Sequence, residues 1–183
     1  MPESKRKSIR LKDFDYTTDA AYFVTLCIHN KECLFGGIAN AEVELSKLGE
    51  KAKDFWLKIP AHFQDVILDE FIIMPNHIHG ILMKINSNEC HSEGVQLNAP
   101  TKGFYSRISS KKDSLGLIIR IYKSAFTTWC RKNGYEDFKW QRNYYEHIIR
   151  NEKDLNNIRS YIFYNPTKWE FDEENKKCNV RIK

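Results

Sequence analysis

The stretch VILDEFIIMPNHIHGILMKI, residues 66–85, decides how this chain folds. Residues 66–74 and 77–85 are two runs of apolar and β-branched side chains, separated only by Pro75 and Asn76. A two-residue connection is too short for the crossover that parallel strands need, so the pair predicts an antiparallel hairpin. Proline has no N–H to give to a ladder and belongs in the turn.

Working outward, residues 22–29 (YFVTLCIH) form another short run of β-branched and aromatic residues and predict a first strand. Between it and the hairpin, Leu45, Leu48, Ala52, Phe55, Trp56 and Ile59 recur at spacings of three and four. That is the signature of an amphipathic helix over 46–59, which Pro60 is expected to end. Beyond the hairpin, Ser114 stands where it can cap a helix with the apolar stripe Leu115, Ile118, Ile119, Tyr122, Phe126 and Trp129, and Gly134 stands where that helix would stop. Residues 138–149 (FKWQRNYYEHII) predict a fourth strand, and Asn151 followed by Asp154 opens a last helix.

Strand, helix, strand, strand, helix, strand, helix is the order of an α+β fold. We expect a ferredoxin-like or RRM-like sandwich, with a central antiparallel sheet and helices packed mainly on one face. The 183 residues suit one domain, 1–183, with a basic arm over 1–15, a mobile loop over 86–113 and a polar tail over 172–183.

Composition narrows the class of function. With 42% apolar and 29% charged residues, and no run approaching the roughly 18 apolar residues of a membrane span, the chain reads as a globular protein. The basic start leads into no apolar signal core, so a cytoplasmic location is expected. The five cysteines are scattered and never form a CxxC pair, which argues against a disulfide framework and a cysteine-rich zinc site. A net charge of +5 is compatible with a polyanionic partner but does not require one.

Residues two apart on a strand share a face, so His77 and His79 project together while Ile78 points into apolar packing. Two neutral imidazoles on one face can chelate a transition metal and leave positions open for substrate oxygens, although two hydrogen-bonded histidines without a metal satisfy the same spacing. A zinc site using Cys27 and His29 is a further alternative. On the last helix Leu155, Ile158 and Ile162 make the core stripe. Tyr161 and Asn165, four apart, lie together on its flank, where a nucleophile and an amide oxygen can reach one point. Asn165 precedes proline and also reads as the end of the helix. Tyr144 or Tyr145 as nucleophile, and His147, Asp69 or Glu70 as ligand, remain open on the residues alone.

Three segments, MPNHIHGIL (74–82), WQRNYYEHIIRNEKDL (140–155) and YIFYNPTKW (161–169), together resemble the HUH tyrosine transposases, and the REP-associated branch in particular. The resemblance implies divalent-metal-dependent cleavage and rejoining of hairpin-flanked single-stranded DNA through a 5′-phosphotyrosine intermediate. It places Tyr161 as the nucleophile, His77 and His79 as ligands of Mg²⁺ or Mn²⁺, and Asn165 as a further ligand where the insertion-sequence branch carries glutamine. It leaves both a homodimer and a single working subunit open. Candidate DNA contacts are the basic face of the second helix (Arg120, Lys123, Arg131), Trp140, Arg142, Tyr144 and Tyr145, and the arm residues Lys5, Arg6, Lys7 and Arg10. The rival reading is a noncatalytic RRM-like binder of single-stranded nucleic acid, which gives no reason for His77, His79 and Tyr161 together.

Overall fold

A computed structural model describes residues 19–85, 114–169 and 175. The expected arm, loop and tail lie outside these residues, and so do Lys5, Arg6, Lys7 and Arg10. Six strands and four helices follow in chain order: β1 (Ala20–Cys27), β2 (Gly36–Ala39), β3 (Glu42–Leu45), α1 (Lys47–Leu57), α2 (Ile59–His62), β4 (Val66–Ile73), β5 (His77–Lys84), α3 (Leu115–Lys132), β6 (Tyr145–Ile149) and α4 (Glu152–Lys168).

The main sheet runs β4-β5-β1-β6, antiparallel throughout, which is the ferredoxin-like order expected from the hairpin and its flanking elements. β4 and β5 close through Met74 to His77, with the Met74 N–H donating to the His77 carbonyl at 2.8 Å. Ser46 caps α1 by accepting from the Gly49 N–H, and Asn151 caps α4 by accepting from the Asp154 N–H. Ser114 occupies the cap position of α3 without that bond.

Register fixes the two faces. Tyr22, Val24, Leu26, Ile78 and Leu82 face α1 and α3 and build the larger core with Trp56, Tyr122 and Phe126. Ala21, Phe23, Thr25, His77, His79, Ile81, Tyr145, His147 and Ile149 share the opposite face. There α4 lays Ile162, with Leu155 and Ile158, on Phe23 and Ile81. Burying the Ile162 side chain contributes about 2 kcal/mol, and it sets which face of α4 looks at the sheet. Two glycines allow close approaches: a Cβ on Gly80 would sit 2.3 Å from the Trp56 ring, and one on Gly49 would sit 2.1 Å from the Phe35 carbonyl oxygen.

Four expectations change. The fourth strand is shorter than 138–149: only Tyr145–Ile149 pairs with β1, and Trp140 makes a single bridge to Ile28. Asn143, with φ 67°, turns the chain between the two. Pro60 does not simply end the first helix; α1 stops at Leu57 and Pro60 lies in the first turn of α2, where its missing N–H costs nothing. The β2–β3 hairpin went unread, although Asn40 and Ala41, both at positive φ, form the two-residue turn that such hairpins favour. Cys27 and Cys130 are free thiols, but Cys33 is disulfide-bonded, which the scattered spacing did not foretell. Among the described residues no helix is long and apolar enough to cross a membrane.

Candidate active site

The two histidines start β5, where Cys27 lies opposite His77 and Thr25 opposite His79. Both are buried, His77 almost completely. Their Nε2 atoms face each other at 2.9 Å. Each remaining ring nitrogen has a partner that controls its proton. The Asn76 amide nitrogen donates to the Lys31 carbonyl, which turns its oxygen toward His77 Nδ1 at 2.7 Å. An amide oxygen only accepts, so His77 carries its proton on Nδ1 and presents a lone pair at Nε2. Burial, with the positive charge of Lys31 as a lesser cause, lowers the His77 pKa to about 3, so the ring is neutral at ordinary pH. His79 Nδ1 lies 2.9 Å from the Thr25 hydroxyl. That hydroxyl both donates and accepts, so either tautomer of His79 is satisfied there, including the one that frees its Nε2 lone pair.

α4 delivers the third component. Tyr161 Oη lies 3.3 Å from His79 Nε2, and its ring stands edge-on to Phe23 with centroids 6.0 Å apart. Two turns on, the Trp169 ring lies 5.9 Å from that of His77. Asn165 stands between Tyr161 and Trp169 at the same helical spacing, so it occupies the face that covers the histidine pair. It is 3% exposed, and its Oδ1 has no hydrogen-bond partner. Pro166 does not end the helix at Asn165, as the sequence had allowed; α4 continues to Lys168.

An unpaired buried acceptor costs about 1–3 kcal/mol, and beside two converging imidazole lone pairs it suits a cation. Two nitrogens and an amide oxygen are neutral donors of the kind that bind divalent metals and leave open positions. Among the described residues no group of three His, Cys, Asp or Glu side chains could hold a metal, so a third protein ligand has to be an amide such as Asn165. The alternative ligands are otherwise engaged. Asp69 accepts from Arg159 Nε at 2.8 Å and from Nη2, and His147 pairs with Asp154 at 2.9 Å.

No family model matches the chain. A Haemophilus influenzae protein described as an "Uncharacterized protein" is 45% identical over 173 residues, covering 92% of each chain. A second protein from the same organism, named "Putative REP-associated tyrosine transposase", is 31% identical over 106 residues, 52% of this chain and 47% of its own length. A solved structure of a REP-associated tyrosine transposase bound to a REP hairpin superposes with a TM-score of 0.58, covering 90% of this chain and 77% of that one. At 19% identity, that likeness speaks for the fold. The chain is homologous to the REP-associated tyrosine transposases.

Of the residues expected to serve this REP-associated tyrosine transposase homologue, the structure brings together Tyr161, His77 and His79, and sets Asn165 on the same helix face. Arg120, Arg131, Arg142 and Tyr144 line a separate groove with Lys123 and Trp140. Two of these are not the exposed DNA-binding groups that were expected. The Lys123 ammonium donates to the carbonyls of Gln141 (3.0 Å) and Asn143 (2.6 Å), and burial lowers its pKa to about 8. Trp140 packs among Phe35, Tyr122, Phe126 and Phe138 because the 138–144 segment folds back on α3 instead of running as a strand. Tyr145, 53% exposed, lies on the histidine face with its ring edge toward Phe23. Thr25, Asn76, Phe23 and Trp169 went unnoticed; Asn76 read as a turn residue, and the others as strand or helix packing.

Proposed function

We propose that this protein cleaves and rejoins single-stranded DNA flanked by a hairpin, with Tyr161 as the nucleophile. The observation that carries the reading is the 3.3 Å approach of the Tyr161 hydroxyl to His79, itself 2.9 Å from His77. Tyr161 Oη attacks phosphorus, forming the P–Oη bond as the P–O3′ bond breaks. The phenol loses its proton, the departing 3′ oxygen gains one, and the 5′ end stays on the protein. Attack by a 3′-hydroxyl reverses the step, so no nucleotide cofactor is consumed.

A phenol with a pKa near 10 is about one part in a thousand ionised at pH 7, a deficit of roughly 4 kcal/mol for the attacking phenolate. His77, His79 and Asn165 would hold Mg²⁺ or Mn²⁺. Such an ion supplies electrostatic stabilisation of the phosphate and its developing charge. The chain's own part is to fix geometry. Asn76 and Thr25 orient the imidazoles, Phe23 buttresses the Tyr161 ring, and the Arg159–Asp69 pair ties α4 to β4 beside it.

The RRM-like reading needs an open sheet surface for bases. Here α4 covers much of that face with Leu155, Ile158 and Ile162, which favours the catalytic reading. Incubation with a hairpin-flanked single strand and Mn²⁺, followed by a denaturing gel, is the test. A protein–DNA adduct that survives denaturation is expected, and its absence under all metal conditions counts against the proposal.

A further inference from the structure

The sheet end that carries the paired histidines also carries, toward α3, a groove lined with cations. β1 joins the two. Its last residue, Cys27, lies opposite His77, and its carbonyl accepts from the Gln141 N–H at 2.9 Å; the His29 N–H just beyond donates to the Lys139 carbonyl, also at 2.9 Å. The groove, about 620 Å³ in volume, runs between α3 and the 138–144 segment. Arg120, Arg131, Lys139 and Arg142 line it and are exposed, and none of the described residues lining it is a carboxylate. Lys123 has a different task, holding the segment onto α3 through the Gln141 and Asn143 carbonyls.

The distribution of aromatics separates the two sides. In the groove Phe138 is buried and Trp140 and Tyr144 pack against the core, so no ring offers an open face for a base. On the histidine side Tyr145 and Tyr161 are 53% and 43% exposed, with Phe23 between them at 6.3 and 6.0 Å. Unpaired strands are bound by stacking platforms together with cations, whereas a duplex offers its phosphates and keeps its bases stacked inside. Cations without open rings fit a duplex backbone; open rings beside the nucleophile fit unpaired bases.

We infer that the groove between α3 and the 138–144 segment holds the sugar–phosphate backbone of a DNA duplex stem, and that the unpaired strand leaving the stem passes round the end of β1 to Tyr145 and Tyr161. The inference rests on the reading that Tyr161 acts on single-stranded DNA.

The test compares Arg120→Gln/Arg131→Gln/Lys139→Gln with the unsubstituted protein on two probes: a hairpin with a single-stranded flank, and the flank alone. Affinity is measured across a salt series. For the hairpin, the slope of log affinity against log salt falls by about 0.9 for each phosphate that the protein no longer neutralises; for the flank alone it stays unchanged. The Lys-for-Arg variant Arg120→Lys/Arg131→Lys keeps the hairpin slope. An equal fall on both probes, or no fall on either, overturns the inference. Adduct formation by the unsubstituted protein on the same hairpin reads the catalytic proposal separately, so either can fail while the other stands.

Discussion

The hydroxyl of Tyr161 lies 3.3 Å from Nε2 of His79, a residue 82 positions earlier in the chain. Nothing local joins them: β5 sets the histidine, and α4 carries the tyrosine across the sheet. The following predictions test that meeting and the parts that sustain it.

Tyr161→Phe removes only the hydroxyl of a half-exposed ring, so stability changes by no more than about 0.5 kcal/mol. Covalent capture of DNA is abolished while affinity for the hairpin probe changes less than about twofold. A denaturing gel beside a binding titration checks both, and adduct persisting in this variant would transfer the nucleophile's role elsewhere.

Asn165→Leu removes an amide whose oxygen has no partner. Without divalent ions the variant is as stable as the parent or more so, by about 1 kcal/mol, because an unpaired buried acceptor is gone. In the parent, Mn²⁺ raises Tm, since an ion that binds only the folded state stabilises it. The variant shows a smaller rise. Equal Mn²⁺ shifts in both proteins would remove Asn165 from the ligand set.

Gly80→Ala drives a methyl group to within 2.3 Å of the Trp56 ring, which is fully buried and has no room to retreat. Overpacking of this kind costs about 1–3 kcal/mol. The glycine follows His79 directly, so the displacement of β5 also reaches the histidine pair. Urea unfolding should show the loss, and Gly37→Ala, where a Cβ meets nothing within 4 Å, serves as the control.

Asp69→Asn weakens the tie between β4 and α4. The Asp69 pKa is held below 3.8, first by the hydrogen bond from Arg159, with partial burial opposing it. A carboxyl depressed in the folded state stabilises the fold above its unfolded pKa of about 3.9 and loses that contribution as pH falls through the lower folded value. The variant therefore melts below the parent at pH 7, and the gap closes as the solution is taken below pH 3. Thermal melts across that range check it, and a gap independent of pH would mean the charge is not what matters.

Much of this protein was legible in its order of residues. The two-residue turn at Pro75 and Asn76 dictated a hairpin, period-two alternation placed His77 and His79 on one face, and a spacing of four set Tyr161 and Asn165 together on a helix. These are local rules, enforced by backbone geometry within a few residues. What needed the folded chain were the distances between elements. Only the β1–β5 register brings Thr25 to His79, only the packing of Ile162 on Phe23 and Ile81 turns Tyr161 toward the imidazoles, and only the fold-back of residues 138–144 commits Lys123 and Trp140 to packing when spacing had offered them to DNA. Sequence periodicity specifies which face a side chain takes; which face then meets which is decided by burial summed over the whole core.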